Sequence, residues 1–192
     1  MIRPITTASP EWLARHRANH ARHPEFGTHR HPYLLDIVRD LAAQAGGADK
    51  PSLLDYGCGK GSFLHAMNRT GWFRFARGFD PAVDAFRARP AQRYDIVLCL
   101  DVLDQTEDAF VAPLIADVAQ FTVRFALFDV ITVQVPALAH LDPRSAAEWQ
   151  DIIGRHMRIV RAIVRPATAE ELRDGACPER AIIIAAPAAE GV

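Results

Sequence analysis

The sequence predicts an α/β fold built on one doubly wound, mostly parallel sheet. From residue 52 onward, short apolar runs take turns with stretches of helical spacing, which is the pattern of repeated strand–helix units. Within these runs apolar and polar residues do not alternate, as expected for strands that helices cover on both faces. The 192 residues match the length of one domain. We therefore predict a single Rossmann-like sheet.

The first elements follow from apolar spacing and turn residues. The stretch YLLDIVRDLAAQAGG has apolar residues at helical spacing and ends in a glycine pair, which predicts a helix at about 32–45. SLLDYGCGKGSFLHAM indicates a strand at 52–56, a glycine-rich turn and a helix. Further on we predict a strand ending at Asp80, a strand at 94–101, a helix at 106–122 with Thr106 as its N-cap, and a strand at 124–133.

The last third of the chain predicts four elements. PRSAAEWQDII is helical, MRIVRAIVR is strand-like, TAEELRDG is a short helix closed by Gly175, and RAIIIAA is a final strand. A short connection joins the last two strands, so we expect an antiparallel hairpin at one side of the sheet, with the C-terminal strand as an antiparallel edge strand. We divide the chain into a basic N-terminal cap rich in His and Arg (1–31), the α/β domain (32–187) and a tail (188–192).

Composition excludes several classes of protein. The 22 Lys and Arg residues nearly balance the 23 Asp and Glu residues, and a net charge of −1 excludes a generally basic nucleic-acid binder. Cys58, Cys99 and Cys177 show no metal-ligand or disulfide spacing. The N-terminus lacks the apolar segment of a signal peptide, and no window is long and apolar enough for a membrane span. We expect a soluble cytoplasmic protein without a membrane partner.

The turn from Asp55 to Ser62 predicts a ligand site. Its glycines lie between a strand and a helix, where the backbone can approach a ligand and the N–H groups of the helix point outward. The GxGxG spacing fits neither the GxGxxG dinucleotide motif nor GxxxxGK[ST], although Lys60 superficially resembles the latter. Asp55 would repel a phosphate but suits a cation such as the methionine portion of S-adenosylmethionine.

Asp80 supports a nucleoside ligand. It ends the next predicted strand 19 residues after Gly61. An acid at an offset of about 20 residues accepts hydrogen bonds from ribose hydroxyls in nucleoside-binding βαβ units.

The motifs LLDYGCGKG, GFDPA and YDIVLCLDVLDQ, within residues 52–105, together resemble those of class I S-adenosylmethionine-dependent methyltransferases. The resemblance implies S-adenosylmethionine as cofactor. Asp55, Gly57 and Gly59 would line its amino-acid end, and Asp80 would hold the ribose. Backbone contacts would come from Tyr56 and Cys58, contacts beyond the strand at 94–101 from Asp101, Val102 and Leu103, and adenine contacts from Pro81 or Phe86.

The sequence departs from the family pattern at two points. Only 14 residues separate Asp80 from Asp95, too few for the usual helix and strand, so we expect strand three to be degenerate. Gln105 stands where the family often has His, which removes one possible base.

His140 is the candidate catalytic base. It follows the last large parallel strand, in a loop at the edge of the sheet where ligands of open α/β folds bind, and a neutral His could accept a proton there. A surface His is the alternative. Trp149 and Tyr33 are open between pocket wall and ordinary core.

The N-terminal cap has four possible roles: a metal site, a site for an anionic substrate or partner, a lid, and a solvated surface. His16, His20 and His23 would share one face of a helix, and such a face could bind a metal. Neighbouring arginines and the missing carboxylate argue against that, and we predict no metal site. Our preferred hypothesis is a lid over the active site; a solvated surface is the alternative.

The predicted function is methyl transfer from S-adenosylmethionine to a small-molecule acceptor, mainly by positioning the two reactants. A catalytically inert binding protein with this fold, or another S-adenosylmethionine-dependent transfer, are the alternatives. A nucleic-acid partner is disfavoured by the charge, and the oligomeric state is left open.

Overall fold

A computed structural model describes residues 2–28, 31–133, 144–167 and 179–188. It contains one six-stranded sheet with the strand order β2-β1-β3-β4-β6-β5. The strands are β1 (Ser52–Tyr56), β2 (Phe75–Phe79), β3 (Tyr94–Leu100), β4 (Thr122–Ile131), β5 (Met157–Arg165) and β6 (Arg180–Pro187). The helices are α1 (Pro10–Arg22), α2 (Leu35–Ala45), α3 (Ser62–Thr70), α4 (Asp108–Phe121) and α5 (Ala146–Gly154), with 3-10 turns at Pro32–Leu34 and Leu103–Gln105.

The sheet is mostly parallel, as predicted. Strands β2, β1, β3 and β4 pair in parallel, and β6 runs antiparallel to both of its neighbours. The predicted hairpin of β5 and β6 is confirmed, but β6 lies one position in from the edge and β5 forms the edge. Burial explains this order, because β6 is almost continuously buried whereas β5 exposes Arg158 and Arg161 to solvent.

The strand that the family pattern has between β2 and β3, called strand three in the sequence analysis, is absent from the described residues. Residues 80–93 contain turns and no strand, so β2 is the other edge of the sheet. The segment packs along that edge, where Arg77 donates to the carbonyl of Ala88 at 3.1 Å. The prediction of a degenerate strand three is therefore confirmed.

Helices cover both faces of the sheet and divide the core into two clusters. Residues of α4 and α5 pack on one face, and residues of α2 and α3 pack on the other. Trp149 is fully buried in the first cluster, and its indole N–H donates to the carbonyl of Ile131 at 3.4 Å. Trp149 is thus a core residue.

Helix α4 begins two residues later than predicted. Its N-cap is Glu107, whereas Thr106 ends the preceding 3-10 turn. The hydroxyl of Thr106 donates to the carbonyl of Val102 at 2.7 Å, so it closes that turn and does not cap α4. Among the described residues, no helix is long and apolar enough to cross a membrane.

Candidate active site

A cavity opens at the carboxyl ends of β1, β2 and β3, the edge at which open α/β sheets bind ligands. It holds about 930 Å³ of empty space, part of it open to solvent. The glycine turn after β1, the segment after β2, the segment after β3 and helix α1 all contribute to its walls. The regions that the sequence singles out therefore meet in one place.

The glycine turn needs its glycines for both conformation and space. Gly57 and Gly59 have φ values of +77° and +53°, in the left-handed region. A Cβ on Gly57 would lie 2.3 Å from Cγ2 of Val102, and one on Gly59 would lie 2.5 Å from the carbonyl oxygen of Gly27. The turn is a cradle that side chains would fill.

Gly59→Ala is expected to destabilise the protein by about 2 kcal/mol or more. A left-handed conformation costs an L-residue roughly 1–2 kcal/mol, and the clash falls on backbone atoms of Gly27 that cannot rotate away. Gly47→Ala is the matched control, because nothing lies within 4 Å of its added Cβ. Urea unfolding measures both, and equal midpoints for the two variants would contradict the close packing of the turn.

Two buried carboxyls face the turn. Asp55 is 3% exposed, and burial raises its pKa to about 7, with Asp80 adding to the rise and His31 opposing it. Asp80 accepts hydrogen bonds from the backbone N–H of Gly59 at 3.0 Å and of Ala82 at 2.8 Å. Burial raises the pKa of Asp80, and these two N–H groups and His20 oppose the rise.

The structure brings nine of the ten predicted cofactor residues to the cavity. Leu103 is the exception, because its side chain is buried in the core cluster below the cavity. The nine are Asp55, Tyr56, Gly57, Cys58, Gly59, Asp80, Pro81, Asp101 and Val102.

Tyr56 and Phe86, the two aromatic residues that the sequence places near the site, each contact other residues of the protein. Tyr56 turns its hydroxyl away, donating at 2.8 Å to the buried carboxylate of Asp117. Of the two adenine candidates, Pro81 lines the cavity, whereas Phe86 packs over Gly61 and Gly78.

Helix α1 spans the cavity and is hydrogen-bonded on both sides. The indole N–H of Trp12 donates to the carbonyl of Gln105 at 2.8 Å, and Arg17 donates to the carbonyl of Pro81 at 3.3 Å. After α1, the Lys60 ammonium donates to the carbonyls of His23 at 2.7 Å and Pro24 at 2.8 Å. The Lys60 side chain is therefore engaged by the cap.

The three histidines of the cap each have partners within the cap, and His16 and His20 share Phe26. His16 stacks on Trp12 with a centroid distance of 3.6 Å, and His20 packs edge-on against Phe26 at 4.7 Å. His23 lies beyond the end of α1, 3.9 Å from a carboxylate oxygen of Glu25. In the part of the chain that is described, no group of three or more His, Cys, Asp or Glu is arranged to hold a metal ion.

A buried polar network beside the cavity was not predicted from the sequence. Arg180 pairs with Asp101 and, at 2.8 Å, with Asp129. Asp129 also accepts a hydrogen bond from the Tyr33 hydroxyl at 2.6 Å, and that hydroxyl lies 3.2 Å from Nδ1 of His31. Two sequence features could have pointed to this network: Asp129 lies inside the apolar run RFALFDVITV, and Arg180 begins the apolar run RAIIIAA. His31, in a basic polar stretch, had no such feature.

Asp104 lies behind this network and is buried without a full set of partners. Its Oδ2 accepts from the backbone N–H of Ile131 at 3.1 Å, while Oδ1 has no partner among the described residues. Burial raises the pKa of Asp104 to about 7, with Asp101 adding to the rise and Arg180 opposing it.

Asp104→Asn is expected to flatten the dependence of stability on pH. Between the ordinary value of 3.8 and about 7, the folded protein holds a proton on Asp104 that the unfolded chain releases. Stability therefore falls as pH rises through this window, by at most about 1.4 kcal/mol per pH unit from this group. Urea unfolding at several pH values checks this.

Asp84→Asn is the control for that series, because the Asp84 side chain is 89% exposed. Asp55 contributes a slope of the same sign in every variant, since its pKa is also raised to about 7. Identical slopes in wild type and Asp104→Asn would contradict a buried, neutral Asp104.

Several predicted features lie outside the described residues. These are His140, Cys177, the short helix predicted at 168–175 and most of the tail.

A family model described as a methyltransferase domain matches residues 26–162, which include the glycine turn, Asp80 and Asp101. No curated protein matches the chain in sequence.

Solved structures share the fold at low sequence identity. Magnesium protoporphyrin IX methyltransferase from Synechocystis PCC 6803 with bound SAM has a TM-score of 0.68 and 16% identity, covering 95% of this chain and 100% of that one. 1,6-Didemethyltoxoflavin-N1-methyltransferase from Burkholderia thailandensis has a TM-score of 0.68 and 14% identity, covering 96% and 93%. The [4+2]-cyclase SpnF has a TM-score of 0.64 and 13% identity, covering 94% and 98%. Because the methyltransferase-domain model matches most of the chain, this protein belongs to that family, among the class I S-adenosylmethionine-dependent methyltransferases.

Proposed function

We propose that this chain transfers the methyl group of S-adenosylmethionine to a small-molecule acceptor in the cavity above β1, β2 and β3. The observation that carries the proposal is the glycine cradle with buried carboxyls beside it, at the ligand-binding edge of the sheet.

The residues of the cavity fit this cofactor better than they fit a phosphate ligand. S-Adenosylmethionine presents an ammonium, a sulfonium and ribose hydroxyls, all of which carboxylates attract or bind. The Asp55 and Asp80 carboxyls would repel phosphates. The nearest lysine, Lys60, donates to carbonyls of the cap.

The proposed contacts follow from where each residue lies. Asp55, Gly57 and Gly59 would hold the amino-acid end, and Asp80 the ribose. Pro81 would border the adenine, and Asp101 and Val102 are proposed contacts beyond β3. Leu103 also stays a proposed contact, although its side chain is buried in the core cluster. For Tyr56 and Cys58 we propose backbone contacts, since the Tyr56 hydroxyl donates to Asp117 and the Cys58 thiol lies 3.7 Å from the carbonyl of Gly59.

When bound, S-adenosylmethionine supplies a methyl group already activated by the positive charge on sulfur. The task of the protein is then to hold the acceptor in line and to exclude water. Helix α1 would contribute to both tasks, because Trp12 and His16 line the cavity and the helix spans it. We propose that the cap at 1–31 is a lid that opens to admit ligands.

A small-molecule acceptor agrees with the cover of the cavity, because helix α1 spans it. Two proteins of similar fold are named for small acceptors, a magnesium porphyrin and a toxoflavin precursor. The near-zero net charge disfavours a long nucleic-acid footprint. A cytoplasmic location stays a prediction, as does His140 as the proton acceptor.

Calorimetric titration with S-adenosylmethionine and S-adenosylhomocysteine tests the proposal first. We expect both to bind with dissociation constants of about 1–100 μM, or roughly −5 to −8 kcal/mol. Transfer of label from S-adenosyl[methyl-³H]methionine to a panel of small phenols and amines then tests the reaction. Binding without transfer would favour another chemistry on this fold, which the likeness to a [4+2]-cyclase illustrates. Absence of binding would overturn the proposal.

A further inference from the structure

His31 lies in the wall of the cavity, between the cofactor cradle and the buried polar network. It is 7% exposed, and its ring packs edge-on against Phe63 at 5.6 Å. His31 and Asp101 border the cavity, with Tyr33, Asp129 and Arg180 behind them. The roles proposed for the glycine turn and Asp80 make no use of His31, Tyr33, Asp129 or Arg180.

Hydrogen-bond directions fix the tautomer of His31. Burial beside Asp129 raises the pKa of Tyr33 far above its ordinary value, so its hydroxyl keeps a proton and donates it to Asp129 at 2.6 Å. The same oxygen, 3.2 Å from Nδ1 of His31, must then accept. Nδ1 carries the proton in the neutral ring, and Nε2 carries the lone pair.

Two carboxylates face the ring of His31. Nε2 lies 3.7 Å from Oδ2 of Asp101, and Nδ1 lies 3.5 Å from Oδ2 of Asp129. Among the described residues, the Arg180 guanidinium pairs with both of these carboxylates, and Asp55 on β1 also interacts with His31. The two carboxylates orient the ring. They would also stabilise the positive charge that the ring gains when it takes up a proton, as carboxylates do beside catalytic histidines.

We propose that His31 is the general base of the reaction, resting on the proposed methyl transfer. The X–H bond of the acceptor breaks and its proton goes to Nε2, giving an imidazolium held by Asp101 and Asp129. The electron pair left on X forms the new bond to the methyl carbon, and the pair of the broken C–S bond stays on sulfur, which becomes a neutral thioether. The acceptor class is therefore a hydroxyl or a protonated amine, whose proton must leave.

The test compares two reactions in the full chain. One is label transfer from S-adenosyl[methyl-³H]methionine to a panel of phenols and alkylamines, in which a proton must leave. The other is formation of S-adenosylmethionine from S-adenosylhomocysteine and iodomethane, in which sulfur is the nucleophile, iodide leaves and no proton is removed. The ratio of the two rates isolates proton removal from cofactor binding and from folding.

His31→Asn is the test variant, because Asn tolerates the left-handed backbone of this position, where φ is 41°. His156→Asn, in the turn before β5, is the matched control. We expect the ratio of proton-requiring to iodomethane rates to fall at least about 100-fold in His31→Asn and to stay within about threefold in the control. Calorimetric affinity for S-adenosylhomocysteine should stay within about threefold in both variants.

Three results would overturn the role of His31: an unchanged ratio, a loss of S-adenosylhomocysteine affinity that accounts for the lost rate, or a wild type that uses iodomethane but methylates nothing in the panel. His140→Ala is measured in parallel, and a fall of the ratio in that variant alone would assign the base to His140. If the wild type performs neither reaction, the proposed methyl transfer itself fails, and the role of His31 falls with it.

Discussion

Asp80→Ala is expected to weaken binding of S-adenosylhomocysteine at least about 100-fold, or roughly 2.7 kcal/mol. Two losses combine. A buried carboxylate is lost as acceptor for ribose hydroxyls, and hydrogen bonds to charged groups contribute about 1.5–3 kcal/mol each. The backbone N–H of Gly59 also loses its partner at 3.0 Å, which loosens the cradle. Calorimetric titration of the purified variant measures the change.

Two further variants separate these losses. Asp80→Asn keeps the shape and one acceptor oxygen, so we expect an intermediate affinity. Asp84→Ala removes a carboxylate of the same segment that is 89% exposed and should bind like wild type. Equal affinity of Asp80→Ala and wild type would place the ribose elsewhere and remove Asp80 from the site.

Arg180→Met is expected to destabilise the fold by about 3–5 kcal/mol, the usual cost of removing one partner from a buried ion pair. The side chain of Arg180 is 5% exposed, and its partners Asp101 and Asp129 are 14% and 0% exposed. Without the guanidinium, two carboxylates remain close together in a poorly solvated place. Urea unfolding at neutral pH measures the loss of free energy.

Arg124→Met is the matched control for this experiment. Its guanidinium is 52% exposed and lies 4.0 Å from Asp95, so we expect a loss below about 1 kcal/mol. The double variant Arg180→Met with Asp129→Asn should recover part of the stability, because it removes one of the uncompensated charges. If Arg180→Met lost no more than Arg124→Met, the network would not be held by this pair.

The sequence predicts the sheet and the cofactor side of the site because both depend on local signals. Apolar runs mark β1, β3 and β4, and glycines that cannot carry side chains mark the cradle. The order of β5 and β6 was not predicted, because it depends on which strand can be solvated, and both are apolar runs that begin near an arginine.

The polar network around His31 depends on partners that are distant in sequence, and this is why the sequence did not reveal it. The members of this network, His31, Asp101, Asp129 and Arg180, come from four separate segments that the fold brings together. No spacing rule links residues 31 and 180. His31 lies in a stretch whose composition is typical of a solvated surface, and the fold alone places it in the wall of the cavity.

The way in which α1 and the segment that follows it at residues 23–24 are anchored bears on how acceptor choice can change in evolution or by design. Several of the hydrogen bonds that anchor them end on main-chain carbonyls, those of Gln105, Pro81, His23 and Pro24, and the donors are the side chains of Trp12, Arg17 and Lys60. The Ser9 hydroxyl also donates to the Glu107 carboxylate at 2.9 Å. Main-chain acceptors are the same whatever the side chain, so these anchors depend on the donors and on the Ser9–Glu107 pair. Cavity-facing cap residues outside this set, such as Ala8, can therefore be exchanged while Trp12, Arg17, Lys60 and Ser9 keep the anchoring. We expect that grafted caps would alter which acceptors react while leaving S-adenosylhomocysteine affinity nearly constant.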